Sequence, residues 1–155
     1  IELLRRGDPS LTELFLDNGV GAPRELSIWG TEIDVEGTEA LAEALRHNVT
    51  LTRLILRCNG IGAEGAGALK ETLRHNVALT ELNLEGNGIG DDGAKTLAEA
   101  VRHNGALEEL RLGGNGIGNE GAKALAEALR HNCALARFDV SGNEIGAEGA
   151  EALAE

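Results

Sequence analysis

Histidine occurs four times, at His47, His75, His103 and His131, and each step is 28 residues. The apolar words keep that step: LTRLIL from Leu51, LTELNL from Leu79, LEELRL from Leu107 and LARFDV from Leu135, with PRELSI from Pro23 one step further back. No other feature constrains the fold as strongly. A short unit recurring at a fixed period cannot bury its apolar face alone and must stack on its neighbours. The chain is therefore expected to be an array of like units.

One unit reads L-x-x-L-x-L-x-x-N-x-I-G-x-x-G-A-x-x-L-A-x-A-L-R-H-N-x-x. Its first half alternates, as in Leu82-Asn83-Leu84, which is the pattern of a strand with one buried face. Its second half, GAKTLAEAVRHN, places Ala94, Leu97, Ala98 and Val101 at helical spacing. Strand then helix, repeated, makes consecutive strands parallel. Glycine and alanine at the helix start (Gly93-Ala94, Gly121-Ala122) leave room for close packing against the strand layer. A helix is wider than the roughly 4.8 Å between paired strands, so the stack bends, with strands inside and helices outside. The expectation is six parallel strands, four full helices and a cut-short fifth near Glu148–Glu155.

With these residues in view, the chain resembles leucine-rich repeat proteins of the ribonuclease-inhibitor type, with 28-residue repeats as in NOD-like receptors and the Ran GTPase-activating protein. Leu79, Leu82, Leu84, Asn87, Ile89, Gly90, Gly93, Leu97 and Val101 carry the likeness, with their equivalents one period away. The resemblance implies an α/β, right-handed leucine-rich repeat solenoid, a horseshoe arc with parallel strands on the concave face and helices on the convex face. It also implies that Asn59, Asn87, Asn115 and Asn143 turn inward after each strand and hydrogen-bond the backbone of the neighbouring turn. Residues 1–155 read as a single domain. Residues 1–22 form an irregular N-terminal edge unit, because Leu14 to Leu26 leaves no room for a helix. Residues 23–155 hold five repeats, the last truncated.

The array accounts for the motifs that look chemical. Histidine is the commonest metal ligand and general base near neutral pH. A 28-residue step, however, sets these four about 8–10 Å apart along an outer edge. Carboxylates gather at helix starts (Asp91, Asp92, Glu120, Glu148), and Arg and His fall in last turns, which complements the helix dipole. Asn48, Asn76, Asn104 and Asn132 then occupy the position where a helix commonly ends in a left-handed residue, which asparagine tolerates. GIGAEG, GIGDDG and GIGNEG each match a dinucleotide fingerprint between strand and helix. A cofactor needs one copy, and Glu144 replaces the first glycine in the last repeat. The residue between the glycines (Ile61, Ile89, Ile117) is expected in the core, so the motif reads as turn chemistry. RGD at Arg6–Asp8 and NVT at Asn48–Thr50 read as coincidences of spelling.

Composition removes further classes. A net charge of −12 and a pI near 4.7 argue against nucleic acid or an anionic membrane as the main partner. Cys58 and Cys133 stand alone without CxxC spacing, so neither a disulfide framework nor a zinc site is indicated. No apolar run approaches the roughly 18 residues of a spanning helix, and no signal segment opens the chain. A soluble, cytoplasmic setting follows as the default expectation.

Repetition fixes the leucines, so function should lie where repeats differ. The outward strand columns are Glu13, Glu25, Arg53, Glu81, Glu109, Arg137; then Phe15, Ser27, Ile55, Asn83, Arg111, Asp139; then Asp17, Trp29, Arg57, Glu85, Gly113, Ser141. Phe15 and Trp29, two of the three aromatics, face outward beside Arg53, Ile55 and Arg57. An exposed tryptophan among arginines and aliphatics has the composition of a binding hot spot. The expected function is a protein–protein interaction module whose concave face binds a protein partner through Phe15, Trp29, Arg53, Ile55 and Arg57. The chain is expected to be no enzyme and to carry no cofactor or metal. A second reading is a structural segment of a larger assembly, contacting neighbours by its helices and open ends, since the chain stops at EALAE with core residues such as Phe138 uncovered. GTPase activation, implied by the Ran relative, finds no arginine that maps onto this sequence.

Overall fold

The computed structural model describes residues 24–155. Ten elements alternate: β1 (Glu25–Ser27), α1 (Val35–Arg46), β2 (Arg53–Ile55), α2 (Gly62–His75), β3 (Glu81–Asn83), α3 (Gly90–Val101), β4 (Glu109–Arg111), α4 (Asn119–His131), β5 (Arg137–Asp139) and α5 (Ala147–Ala154). The strands form one parallel sheet in chain order. Its register is the sequence period made visible, with Leu26, Leu54, Leu82, Leu110 and Phe138 in one row. Four full helices and a short fifth agree with the expectation. Of the six strands expected, five are described; the sixth, Phe15 and the 1–22 edge unit lie outside the described residues.

The core is the leucine pattern itself. Leu82, Leu84 and Leu97 are fully buried, as are their equivalents Leu54, Leu56 and Leu69 or nearly so. Ile61, Ile89 and Ile117 are at most 2 % exposed, so the residue inside each GIG turn belongs to the core and not to a cofactor cradle. Gly93 shows what the small residues at helix starts permit. A Cβ there would lie 2.5 Å from Ile89 Cγ2 and 3.1 Å from Ala63 Cα in the preceding repeat. The close approach is therefore to the isoleucine row and the neighbouring helix.

Two asparagine rows tie the backbone together. Asn87 donates through Nδ2 to the carbonyls of Leu56 (2.8 Å) and Leu84 (2.9 Å), and its Oδ1 accepts from Asn59 N at 2.9 Å. Asn59, Asn115 and Asn143 repeat the scheme, as the resemblance implied. The second row corrects an expectation. Asn76 and Asn132 end their helices with φ of −72° and −88°, and neither Asn48 nor Asn104 has positive φ. They are side-chain caps. Asn76 Oδ1 accepts from Ala78 N and Leu79 N, while Nδ2 donates to Leu45 O and Asn48 O one repeat back. The amide satisfies the start of the next strand and the end of the previous helix at once, so no left-handed residue is needed. Asn48 is 4 % exposed, which sets it in the core and not at a glycosylation surface.

Candidate protein-binding face

Each strand is three residues long and parallel to the next, so outward side chains stand in rows across the concave face. Arg53 lies in the first row between two acids, with Nη1 2.9 Å from Glu25 and Nε 2.7 Å from Glu81. The hydrogen bond to Glu81, then the charges of Glu81 and Glu25, push its pKa above the ordinary arginine value. Ile55 stands in the middle row beside Ser27 and Asn83. Trp29 and Arg57 follow β1 and β2 in the third row, where Gly30 N donates to Arg57 O at 3.2 Å. Arg57 Nε is 3.7 Å from Glu85. Trp29 is 69 % exposed, a large apolar surface left uncovered among the described residues. The sequence-predicted residues Trp29, Arg53, Ile55 and Arg57 thus share one face over β1 and β2. Phe15 lies outside the described residues.

A second cluster was missed by pattern alone. Glu109, read from its column as an outward residue like the rest, is only 5 % exposed. Arg111 donates through Nε to its Oε1 at 2.6 Å, and Arg137 binds its other oxygen from the next strand. The bond from Arg111, helped by that from Arg137, holds the Glu109 carboxyl below its usual range despite the opposing effect of burial. Asn83 is likewise 5 % exposed in the outward row, where it donates to Glu85 at 3.1 Å. Glu109 is covered from its own strand by Arg111 and from the next by Arg137, while Asn83 is tied to Glu85 beyond its own strand. The signal available in sequence was the sign pattern: Glu109 stands beside Arg137 in its row, with Arg111 two residues on.

The resulting face is nearly neutral. From β1 to β5 four arginines (Arg53, Arg57, Arg111, Arg137) meet five carboxylates (Glu25, Glu81, Glu85, Glu109, Asp139). The turns that lead from strand to helix carry the excess negative charge instead. Segments 30–38, 58–65, 86–94, 114–122 and 142–150 contain nine carboxylates and no lysine or arginine. Recognition on the strand face would therefore rest on shape, apolar contact and paired hydrogen bonds, with little long-range steering.

The histidines take no part in this face. His75 Nδ1 lies 2.9 Å from Glu71 O and His131 Nδ1 2.9 Å from Glu127 O, each on its own helix and exposed. Arg and His do fall in the last turns of α2 and α4, but α3 ends at Val101, leaving Arg102 as its cap. Among the described residues no three His, Cys, Asp or Glu side chains gather to hold a metal. No helix among them is long and apolar enough to cross a membrane.

Comparison with known proteins places this geometry. The solved structure titled Leiomodin-1 Actin-Binding Site 2 superposes with a TM-score of 0.70 at 22% identity, covering 99% of this chain and 84% of that one. The tropomodulin C-terminal domain of Caenorhabditis elegans superposes at 0.73 with 19% identity, covering 99% and 86%. At such identities the likeness establishes the fold, an α/β leucine-rich repeat solenoid. No curated protein sequence matches the chain significantly. The Leucine Rich repeat family matches residues 131–154. The TMOD/LMOD Leucine-rich domain family matches residues 1–141, most of the chain. The protein belongs to the TMOD/LMOD leucine-rich domain family.

Proposed function

We propose that the chain is a non-enzymatic protein-interaction module that grips a protein partner with its concave face, centred on Phe15, Trp29, Arg53, Ile55 and Arg57. The observation that carries this reading is Trp29: an indole 69 % exposed, on the strand face, in a row with Arg57. Leaving that area in water forgoes the burial its size would otherwise contribute, and tryptophan flanked by arginine is typical of hot spots. Arg53 is already oriented by Glu25 and Glu81, which lowers the ordering needed on binding. Actin is the first partner to test, because the similar leiomodin-1 structure is titled as an actin-binding site. The repeats belong to the ribonuclease-inhibitor type on this reading, supported by the 28-residue register between all five strands. A cytoplasmic setting and a single domain, with 1–22 as an edge unit, complete the proposal.

The test is a binding isotherm with actin and with captured cell proteins, comparing the natural chain with Trp29→Ala. A weakening of at least about 2 kcal/mol supports a hot spot; an unchanged isotherm removes the concave face from the interface. A second reading is a structural segment of a larger assembly that contacts its neighbours by its helices and open ends. That reading wins if contacts map to the helices and the β5 side.

A further inference from the structure

The hexapeptide IGAEGA occurs twice, at 61–66 and 145–150, and it adopts two conformations. In the first copy Gly62 has φ +63°, Ile61 is already helical, and Gly62 N donates forward to Asn87 O at 2.9 Å. In the second copy Gly146 is extended, with φ −87° and ψ −170°, and its N–H donates backward to Asn119 Oδ1 at 2.9 Å. The six residues cannot by themselves explain the difference, because they are the same in both copies.

The other two turns separate the causes. Gly90 has φ +62° and donates forward to Asn115 O at 2.9 Å. Gly118 is extended, with φ −95°, and donates backward to Asp91 Oδ1 at 2.8 Å. Both have a following repeat to donate to, so the presence of a forward acceptor does not decide the outcome. What differs is the side chain one repeat earlier, at the second position of each turn. Ahead of Gly62 and Gly90 stand Val35 and Ala63, which have no acceptor. Ahead of Gly118 and Gly146 stand Asp91 and Asn119, each of which also accepts from the next glycine, Gly121 N at 2.7 Å and Gly149 N at 2.9 Å. All four turns obey the rule.

We infer that each of the four glycine-bearing strand-to-helix turns, before α2, α3, α4 and α5, is a two-state device whose setting is written in the preceding repeat. An Asp or Asn there pulls the glycine N–H backward, holds the backbone extended and caps the next helix across the repeat boundary. An Ala or Val there leaves the glycine left-handed, with its N–H turned toward the following repeat and the helix begun one residue earlier. Glycine permits both settings because the left-handed region costs it no Cβ clash. The caps couple neighbours: Asp91 of α3 caps α4 and Asn119 of α4 caps α5, while no such cap joins α1 to α2 or α2 to α3. In a solenoid such boundary terms set how far unfolding spreads, so the α1–α2 and α2–α3 boundaries each lack a coupling term that the two later boundaries have.

The experiment changes the setting without touching the glycine. In the 155-residue chain, Ala63→Asp turns Gly90 from left-handed to extended, seen in its amide shifts and couplings by NMR, and slows amide exchange at Gly93 by roughly five-fold, the worth of one added cap. Asp91→Ala sends Gly118 to positive φ and speeds exchange at Gly121, while Asp91→Asn, which keeps an acceptor as Asn119 does, leaves Gly118 extended. Gly90 remaining left-handed in Ala63→Asp overturns the inference, as does Gly118 remaining extended in a folded Asp91→Ala chain. Should Asp91→Ala fail to fold, the Ala63→Asp chain, which adds a cap and removes nothing, decides alone.

Discussion

The backbone N–H of Asn87 donates to Oδ1 of Asn115 at 2.8 Å, and Asn115 Nδ2 reaches back to Leu84 O at 2.9 Å. With its further bond to Leu112 O at 2.9 Å, one buried amide satisfies groups of two repeats, and the same scheme recurs along the row. Asn76 and Asn104 do the same at the other end of the strands. No buried side-chain nitrogen or oxygen among the described residues lacks a partner.

Removing one rung leaves buried backbone groups unpaired. Asn87→Ala is expected to destabilise the protein by about 1–3 kcal/mol, and Asn104→Ala by a similar amount. His103→Ala, on the exposed edge, should stay within about 0.5 kcal/mol. Urea melts of the three chains check this; equal losses at His103 and Asn87 would contradict the assignment.

Cys58 holds φ +56° where Gly30, Gly86, Gly114 and Gly142 hold +62° to +67°. The left-handed region costs a residue with a Cβ about 1–2 kcal/mol, and glycine returns part of that as unfolded-chain entropy. Cys58→Gly should therefore raise stability by about 0.5–1 kcal/mol. A lower melting midpoint for the variant would mean that the exposed thiol is held by contacts worth more than the strain.

Glu109 bears on acid sensitivity. Its folded carboxyl titrates below the unfolded value of about 4.3. The stability it supplies is therefore complete above that pH and is lost as pH falls through the folded value. Glu109→Gln should cost about 1 kcal/mol at pH 7 and progressively less below pH 4. Denaturation curves at neutral and acid pH test the sign: a gap that widens in acid would refute the ion-pair account.

The isoleucines of the GIG turns are core residues, so the turn reading predicts no nucleotide binding. Titration with NAD or ATP should leave the melting temperature unmoved, because stabilisation by linkage requires binding to the native state. A saturable rise abolished by Gly88→Ala would reverse the conclusion.

Sequence by itself determined the architecture. A 28-residue step in leucines, asparagines and glycines fixes strand register and the alternation of elements, because like units have only each other to bury against. It also placed Trp29, Arg53, Ile55 and Arg57 on one face, since alternation in a strand decides which side chains point outward. It did not reveal that Asn76 and Asn132 are caps of a second ladder, because the carbonyls they satisfy lie 28 and 31 residues away. Nor did it reveal the burial of Glu109, which depends on arginines leaning across from Arg111 and the next strand. Only tertiary structure decided between the two shapes of IGAEGA. Identical residues settle differently there because the acceptor that selects the backbone setting belongs to the neighbouring repeat.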